Sequence, residues 1–246
     1  MTNHHGNNFV TAIYSIPGFS EPVSSLSHLL PAGLFLILGI FLLHHGRGNR
    51  ARMLSLGVFV FATVFMLAMS GVFHLLQPGS NGRAVLQRLD HAAIFVLIAG
   101  TFTPIHIILF RGWRRWAVLT LIWLLTITGL TLTTIFFHDM NERLGLLFYL
   151  GLGWLGIITA VLMFQRYRLR FLPLLLYGAI AYTLGALLDY FRLINPLPGV
   201  IGPHELFHLF VLTGLGIHWR LIYRISDAHR HGRLYPHPRQ TSFPME

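Results

Sequence analysis

The 246-residue chain contains no cysteine and no lysine. Without cysteine there is no disulfide framework, thiolate metal site, iron–sulfur cluster or cysteine nucleophile. Charge is scarce as well: 18 basic residues, every one an arginine, and 8 acidic residues make up 11% of the chain. A soluble domain is about one quarter charged, so the composition argues against a water-soluble globule. The alternating apolar and polar runs of a membrane β-barrel are missing too. What remains is apolar, with 54% of residues hydrophobic. The one abundant polar type is histidine, at 15 copies against 8 acids.

A helix that crosses a bilayer needs roughly 20 largely apolar residues. Seven stretches satisfy this, at 22–44, 52–77, 86–110, 114–137, 143–164, 171–194 and 203–225. The expected fold is therefore all-α, a seven-transmembrane-helix bundle over 22–225. A polar N-terminal segment, 1–21, precedes it, and a basic, proline-containing tail, 226–246, follows. The first stretch lacks the basic flank of a cleaved signal peptide and is read as a retained helix. Fourteen arginines fall in or beside the connections after the first, third and fifth stretches and from Arg220 to the tail; only Arg83, Arg88, Arg143 and Arg192 fall on the other side. By the positive-inside rule the N-terminus is outside and the C-terminus cytoplasmic, in a cell membrane, a bacterial inner membrane by loop length and composition. The net charge of +10 is then a topology signal and a contact for anionic lipid. It does not mark a nucleic-acid partner, because the arginines are scattered and no groove-reading motif is present. The oligomeric state is not legible.

Ionisable groups inside a membrane helix cost a few kcal/mol or more and mark candidate functional positions. His28, His74, Asp90, His91, Asp189, His204, Glu205 and His208 all fall at one end of the expected bundle, while His106 and His218 fall at the other. His204 and His208 are i and i+4, so one helix face offers two imidazoles to one metal. His74 is the best-placed third ligand. Three histidines with an open fourth position make a catalytic type of zinc site. Ser70 is i−4 from His74 and shares its face. Asp90 can reach the same point, where a carboxylate orients water and takes its proton. His28, His91, Asp189 and Glu205 are expected around the ligands. His204-Glu205-Leu206-Phe207-His208 also matches the zincin pattern H-E-x-x-H. An intramembrane protease takes a further Asp ligand from a later membrane helix, and none follows here.

Three motifs carry a resemblance: E-P-V-S-S-L-S-H-L-L-P at 21–31, S-G-V-F-H at 70–74 followed by L-D-H-A-A-I-F-V-L-I-A-G-T-F-T-P at 89–104, and H-E-L-F-H-L-F-V-L at 204–212. Together they resemble the progestin and adipoQ receptor family, including its bacterial hemolysin III-like branch, over essentially the whole chain. The first motif departs from the family pattern, with Ser24 in place of Asn and Pro31 in place of Gly. The resemblance implies zinc on His74, His204 and His208, with Asp90 and Ser70 near the bound water. Zinc-dependent alkaline ceramidases look like more distant relatives. Animal members of the family have a cytoplasmic N-terminus, opposite to the arginine count here.

The expected function is zinc-dependent hydrolysis of a lipid amide or ester, with membrane lipid as substrate or ligand and a role in membrane lipid homeostasis. The alternative is a non-catalytic receptor or sensor of membrane state with a structural zinc. A metalloprotease and a haem-binding electron carrier rank below both.

Overall fold

The computed structural model describes residues 14–137 and 139–234. His4, His5, His138, His237 and the outer parts of both flanking segments lie outside the described residues. The helices in chain order are α1 (Pro22–Gly46), α2 (Arg50–Leu75), α3 (Asn81–Leu109), α4 (Trp113–Ile135), α5 (Glu142–Trp154), α6 (Gly156–Tyr167), α7 (Leu172–Tyr190) and α8 (Pro203–Arg230). Seven spans are long and apolar enough to cross a membrane, α5 and α6 counting as one.

Each start has a local cause. Asn49, Ser80 and Asn141 lie just before α2, α3 and α5, and their side chains accept from Arg52 N, Arg83 N and Leu144 N at 2.9, 3.2 and 2.8 Å. These caps satisfy amide hydrogens that a helix leaves open at its first turn. Pro22 and Pro203 open α1 and α8, where a missing N–H costs nothing.

Two helices are longer than their apolar stretches. α3 begins at Asn81, so Asp90 sits in its third turn instead of its second, and α8 continues through polar residues to Arg230. An apolar window cannot see such extensions, because a capped polar turn stays helical outside the hydrocarbon. The fifth span is broken at Leu155 among Gly151, Gly153 and Gly156. Glycine weakens a helix locally and is a common cause of kinks. A Cβ on Gly156 would lie 2.9 Å from the Phe102 ring, so α6 begins hard against α3.

α3 is the central helix, with most of its apolar stretch buried; it packs on α2, α4, α5 and α8. α1 packs on α2 and α8, and α7 on α8. Phe59, Leu67, Ile105 and Leu215 are fully buried between them. Leu30, Ile40, Leu54, Ile127, Leu147 and Tyr177 are exposed on the flanks, as suits side chains facing acyl chains. α1 and α2 approach closely at Gly71, where an added Cβ would meet Leu29 at 2.6 Å. That approach lets Ser25 Oγ donate to Gly71 O at 2.8 Å and brings the first turns of α1 against the end of α2.

Candidate metal centre

The beginnings of α1, α3 and α8 and the ends of α2 and α7 meet at one end of the bundle. Backbone pairing fixes the first junction: Ser20 N and Glu21 N donate to Leu75 O and His74 O at 3.2 and 3.1 Å. Glu21 is thereby set beside the last turn of α2. At α8, Gly202 N donates to Glu205 Oε2 at 2.8 Å, which closes the first turn and holds His204 and His208 on one face.

His74, His204 and His208 come together, with one nitrogen of each within 4.8 Å of the others. The Nε2 atoms of His74 and His204 are 3.1 Å apart. Every Nδ1 is occupied by an oxygen. His74 Nδ1 donates to Glu21 Oε2, His204 Nδ1 to Asp189 Oδ2 at 3.2 Å, and His208 Nδ1 contacts Ser27 Oγ at 2.9 Å. With the protons held on Nδ1 by the two carboxylates, the facing Nε2 atoms present lone pairs to each other. Two lone pairs at 3.1 Å repel unless a cation lies between them. The donor set thus fits a metal, and three neutral imidazoles with oxygen partners behind them suit zinc.

Glu21 is the main residue that sequence reasoning missed. Its Oε1 pairs with Arg83, which also donates to Leu76 O at 2.5 Å. Burial alone raises the Glu21 pKa, but the hydrogen bonds from His74 and Arg83 and the Arg83 charge outweigh it and hold the carboxyl below the usual carboxylate range. The carboxylate therefore stays ionised and keeps the His74 proton on Nδ1. Ser24 and Ser27 were also missed: Ser24 Oγ donates to Glu205 Oε1, and Ser27 backs His208. Their signal was present, since positions 24, 27 and 28 share one helix face.

Around the histidines, His28 is buried and its ring stacks on His208 at 3.7 Å. His28 Nδ1 contacts Ser70 Oγ at 2.7 Å, and Ser70 and Asp90 line the same end of one cavity. Asp189 and Glu205 adjoin the site as expected, Asp189 directly on His204 and Glu205 one step away as the brace of the α8 turn. With one oxygen on Gly202 N and the other on Ser24, Glu205 is turned away from the role of a zincin base. His91 is not brought to the ligands. Its Nδ1 contacts Gln87 O at 2.8 Å, its ring edge meets Phe137, and only Asp90 is near, at 4.0 Å.

His28, Ser70, Asp90, His204 and His208 line one end of a cavity of about 510 Å³. It extends along α8 to His218, fourteen residues on, or about 21 Å of helix. Between these ends the walls are mainly apolar, with Leu97, Ile98, Phe102 and Leu175 among them. His106 and His218 lie away from the metal centre, bonded to Thr159 Oγ1 at 2.9 Å and Leu175 O at 3.1 Å.

If Glu21 orients His74, Glu21→Gln should weaken zinc binding about 10–100-fold while leaving the helices formed. Competition with a chromogenic chelator measures the first effect and far-ultraviolet circular dichroism the second. Unchanged affinity would remove Glu21 from the metal centre.

Residues 19–219 match the model of the family described as "Haemolysin-III related". The chain is 31% identical over 196 residues to "Hemolysin-3" of Bacillus cereus, covering 79% of this chain and 86% of that protein. It is 30% identical over 185 residues to "Hemolysin-3 homolog" of Bacillus subtilis (strain 168), covering 75% and 81%. The matched region contains every residue of the histidine site. With seven membrane-crossing helices and these relatives, the chain is a multi-pass protein of the bacterial cell membrane, and it belongs to the haemolysin-III-related family.

Proposed function

We propose that the protein is a zinc-dependent hydrolase of a lipid amide or ester, acting in membrane lipid homeostasis. One observation carries this reading: the three-histidine cluster and a carboxylate meet at the polar end of a long apolar cavity. A site built only to tie helices together needs the histidines, but neither the carboxylate nor the cavity. Cavities of this size hold small apolar ligands with a few placed polar groups, and a lipid acyl chain has that character.

Zinc on His74, His204 and His208 supplies Lewis acidity, lowering the pKa of a water to about 7. Asp90, which lines the cavity beside His204 and His208, would orient a water and take its proton as that water attacks the acyl carbonyl. Ser70, in contact with His28 and lining the same end of the cavity as Asp90, would donate its one hydrogen to that carboxylate while Asp90 is ionised. Once Asp90 is protonated, that hydrogen can turn to the substrate oxygen as it gains charge. Asp90 then returns its proton to the departing amine or alcohol, which closes the proton balance. Glu21, Asp189 and Ser27 keep the three imidazoles aimed. Substrate enters sideways from the bilayer, in keeping with the light packing of α5 and α6 against α7 along the cavity wall.

The test is hydrolysis itself. Zinc-loaded protein in lipid nanodiscs, given N-acyl and O-acyl lipids, should release free fatty acid, and chelation should stop it. No release from any such lipid by protein of verified zinc content would leave the structural-zinc sensor as the better reading.

We also propose that the N-terminus faces outward, which places the histidine site at the outer leaflet. The arginine asymmetry supports this orientation. Alkaline phosphatase fused to the C-terminus should then be inactive in a bacterial host, while a fluorescent protein at the same position should glow. High phosphatase activity would reverse the orientation.

A further inference from the structure

The end of the bundle opposite the histidines concentrates positive charge. Among the described residues, the α1–α2, α3–α4 and α6–α7 connections with their adjoining turns, and the chain from Arg220 on, hold thirteen arginines against one acid, Asp227. Most of those arginines are exposed and need no partner. Arg52, in the first turn of α2, is different, being only 5% exposed. A guanidinium so buried ordinarily faces a carboxylate. Among the described residues Arg52 faces none. Its Nη2 donates to Arg47 O at 2.8 Å, its Nη1 to His229 Nδ1 at 2.6 Å, and its Nε has no partner.

The contact with His229 fixes a tautomer. Arginine can only donate, so His229 Nδ1 accepts and its proton lies on Nε2. The pair therefore presents N–H groups and no acceptor. Arg111 and Arg115 lie within electrostatic reach of His229, and Arg230 within reach of Arg52. Positive groups from three separate parts of the chain thus converge on one place. The described acid on this side, Asp227, is taken by Arg233 at 2.6 Å and by His231. Such a gathering of like charge is unfavourable unless an anion sits among it.

We propose that Arg52, Arg111, Arg115 and His229 form a binding site for the phosphate of an anionic phospholipid headgroup. Phosphate oxygens accept the paired N–H groups of guanidinium in a geometry that fits both partners. The depth favours lipid over dissolved phosphate. Trp113 and Trp116 flank Arg114 and Arg115 and are 71% and 56% exposed. Exposed tryptophans at a helix end sit at the level of the headgroups. This site is independent of the hydrolase reading.

Native mass spectrometry and thermal unfolding of the full-length protein test the assignment. Delipidated protein is offered phosphatidylcholine alone, phosphatidylcholine with phosphatidylglycerol, or phosphatidylcholine with cardiolipin. Wild-type protein should retain the anionic lipid and unfold at a higher temperature with it. Arg52→Gln combined with Arg111→Gln should weaken retention at least about tenfold. Arg168→Gln combined with Arg220→Gln removes the same charge from the same end and should leave retention near wild type. Should the Arg52 variant fail to fold, Arg111→Gln with Arg115→Gln alters only the α3–α4 connection and should lose retention likewise. Equal losses in the cluster and control pairs, or no preference for anionic lipid, would overturn the site. The same stabilisation by inorganic phosphate alone would overturn its assignment to lipid.

Discussion

Purified wild-type protein should carry about one zinc per chain, and His74→Ala, His204→Ala and His208→Ala should each carry less than about a tenth of that after dialysis against a weak chelator. The expectation follows from how the three imidazoles are held. Each has an oxygen behind its Nδ1, from Glu21, Asp189 and Ser27 respectively, so each is pre-aimed. Removing one leaves two ligands, one short of the set that would hold the ion. His28 is stacked flat on His208, with its Nδ1 on Ser70 Oγ. His91→Ala is the matched control, because its ring faces Phe137 and not the ligands, and it should keep its zinc. Inductively coupled plasma mass spectrometry on the five proteins reads the result directly. Equal zinc in wild type and the three ligand variants would remove the metal centre altogether.

The same metal should stabilise the fold, because it bridges α2 and α8, which are joined there only by side chains. Ligand linkage gives about 4 kcal/mol when free zinc exceeds its dissociation constant a thousandfold. The ligand variants should therefore unfold at the temperature of chelated wild type. A variant that unfolds well below it would have lost packing as well as metal.

Some of this was legible in the residues and some was not. The seven spans could be read because the bilayer imposes a length and a polarity that the chain must meet. The clustering of His74, His204 and His208 could be read because i, i+4 spacing on α8 and a shared depth leave few other partners for His74. The break at Leu155 escaped, since glycine is tolerated in most membrane helices and only the approach of α6 to Phe102 shows its use here. The start of α3 at Asn81 escaped because hydropathy reports the hydrocarbon, not the helix. Glu21 escaped for a related reason. It lies just before α1, outside the apolar stretch, and its bond to His74 depends on the Ser20–Glu21 backbone turning onto the end of α2. His91 shares the depth of Asp90, the ground for expecting it at the site, yet neighbours in a helix point about 100° apart. Such a rotation separates a residue over the site from one that faces Phe137.

Asp90→Asn should abolish turnover without moving the metal, and this is where hydrolase and sensor part. Asparagine has nearly the same shape and can accept from Ser70 Oγ as the carboxylate would, so the His28–Ser70 contact can persist. It cannot take a proton from water. Loss of a positioned general base costs about 10²–10⁴ in kcat, and that is the expected fall. Zinc content should equal wild type, because Asp90 contributes no bond to His74, His204 or His208. KM should change little, since substrate affinity comes from the apolar cavity walls and not from the carboxylate. Ser70→Ala should fall between Asp90→Asn and wild type, because it leaves the base present but loosely held. A sensor with a structural zinc behaves otherwise: its membrane phenotype should survive Asp90→Asn and vanish in His204→Ala. Fatty-acid release assays and a cellular membrane-fluidity readout on the same variants separate the outcomes. Asp90→Asn protein with full zinc and undiminished hydrolysis would remove Asp90 as the base. The same protein with full zinc, no hydrolysis at any stage and an intact membrane phenotype would favour the sensor, in which the metal serves to clamp α2 to α8.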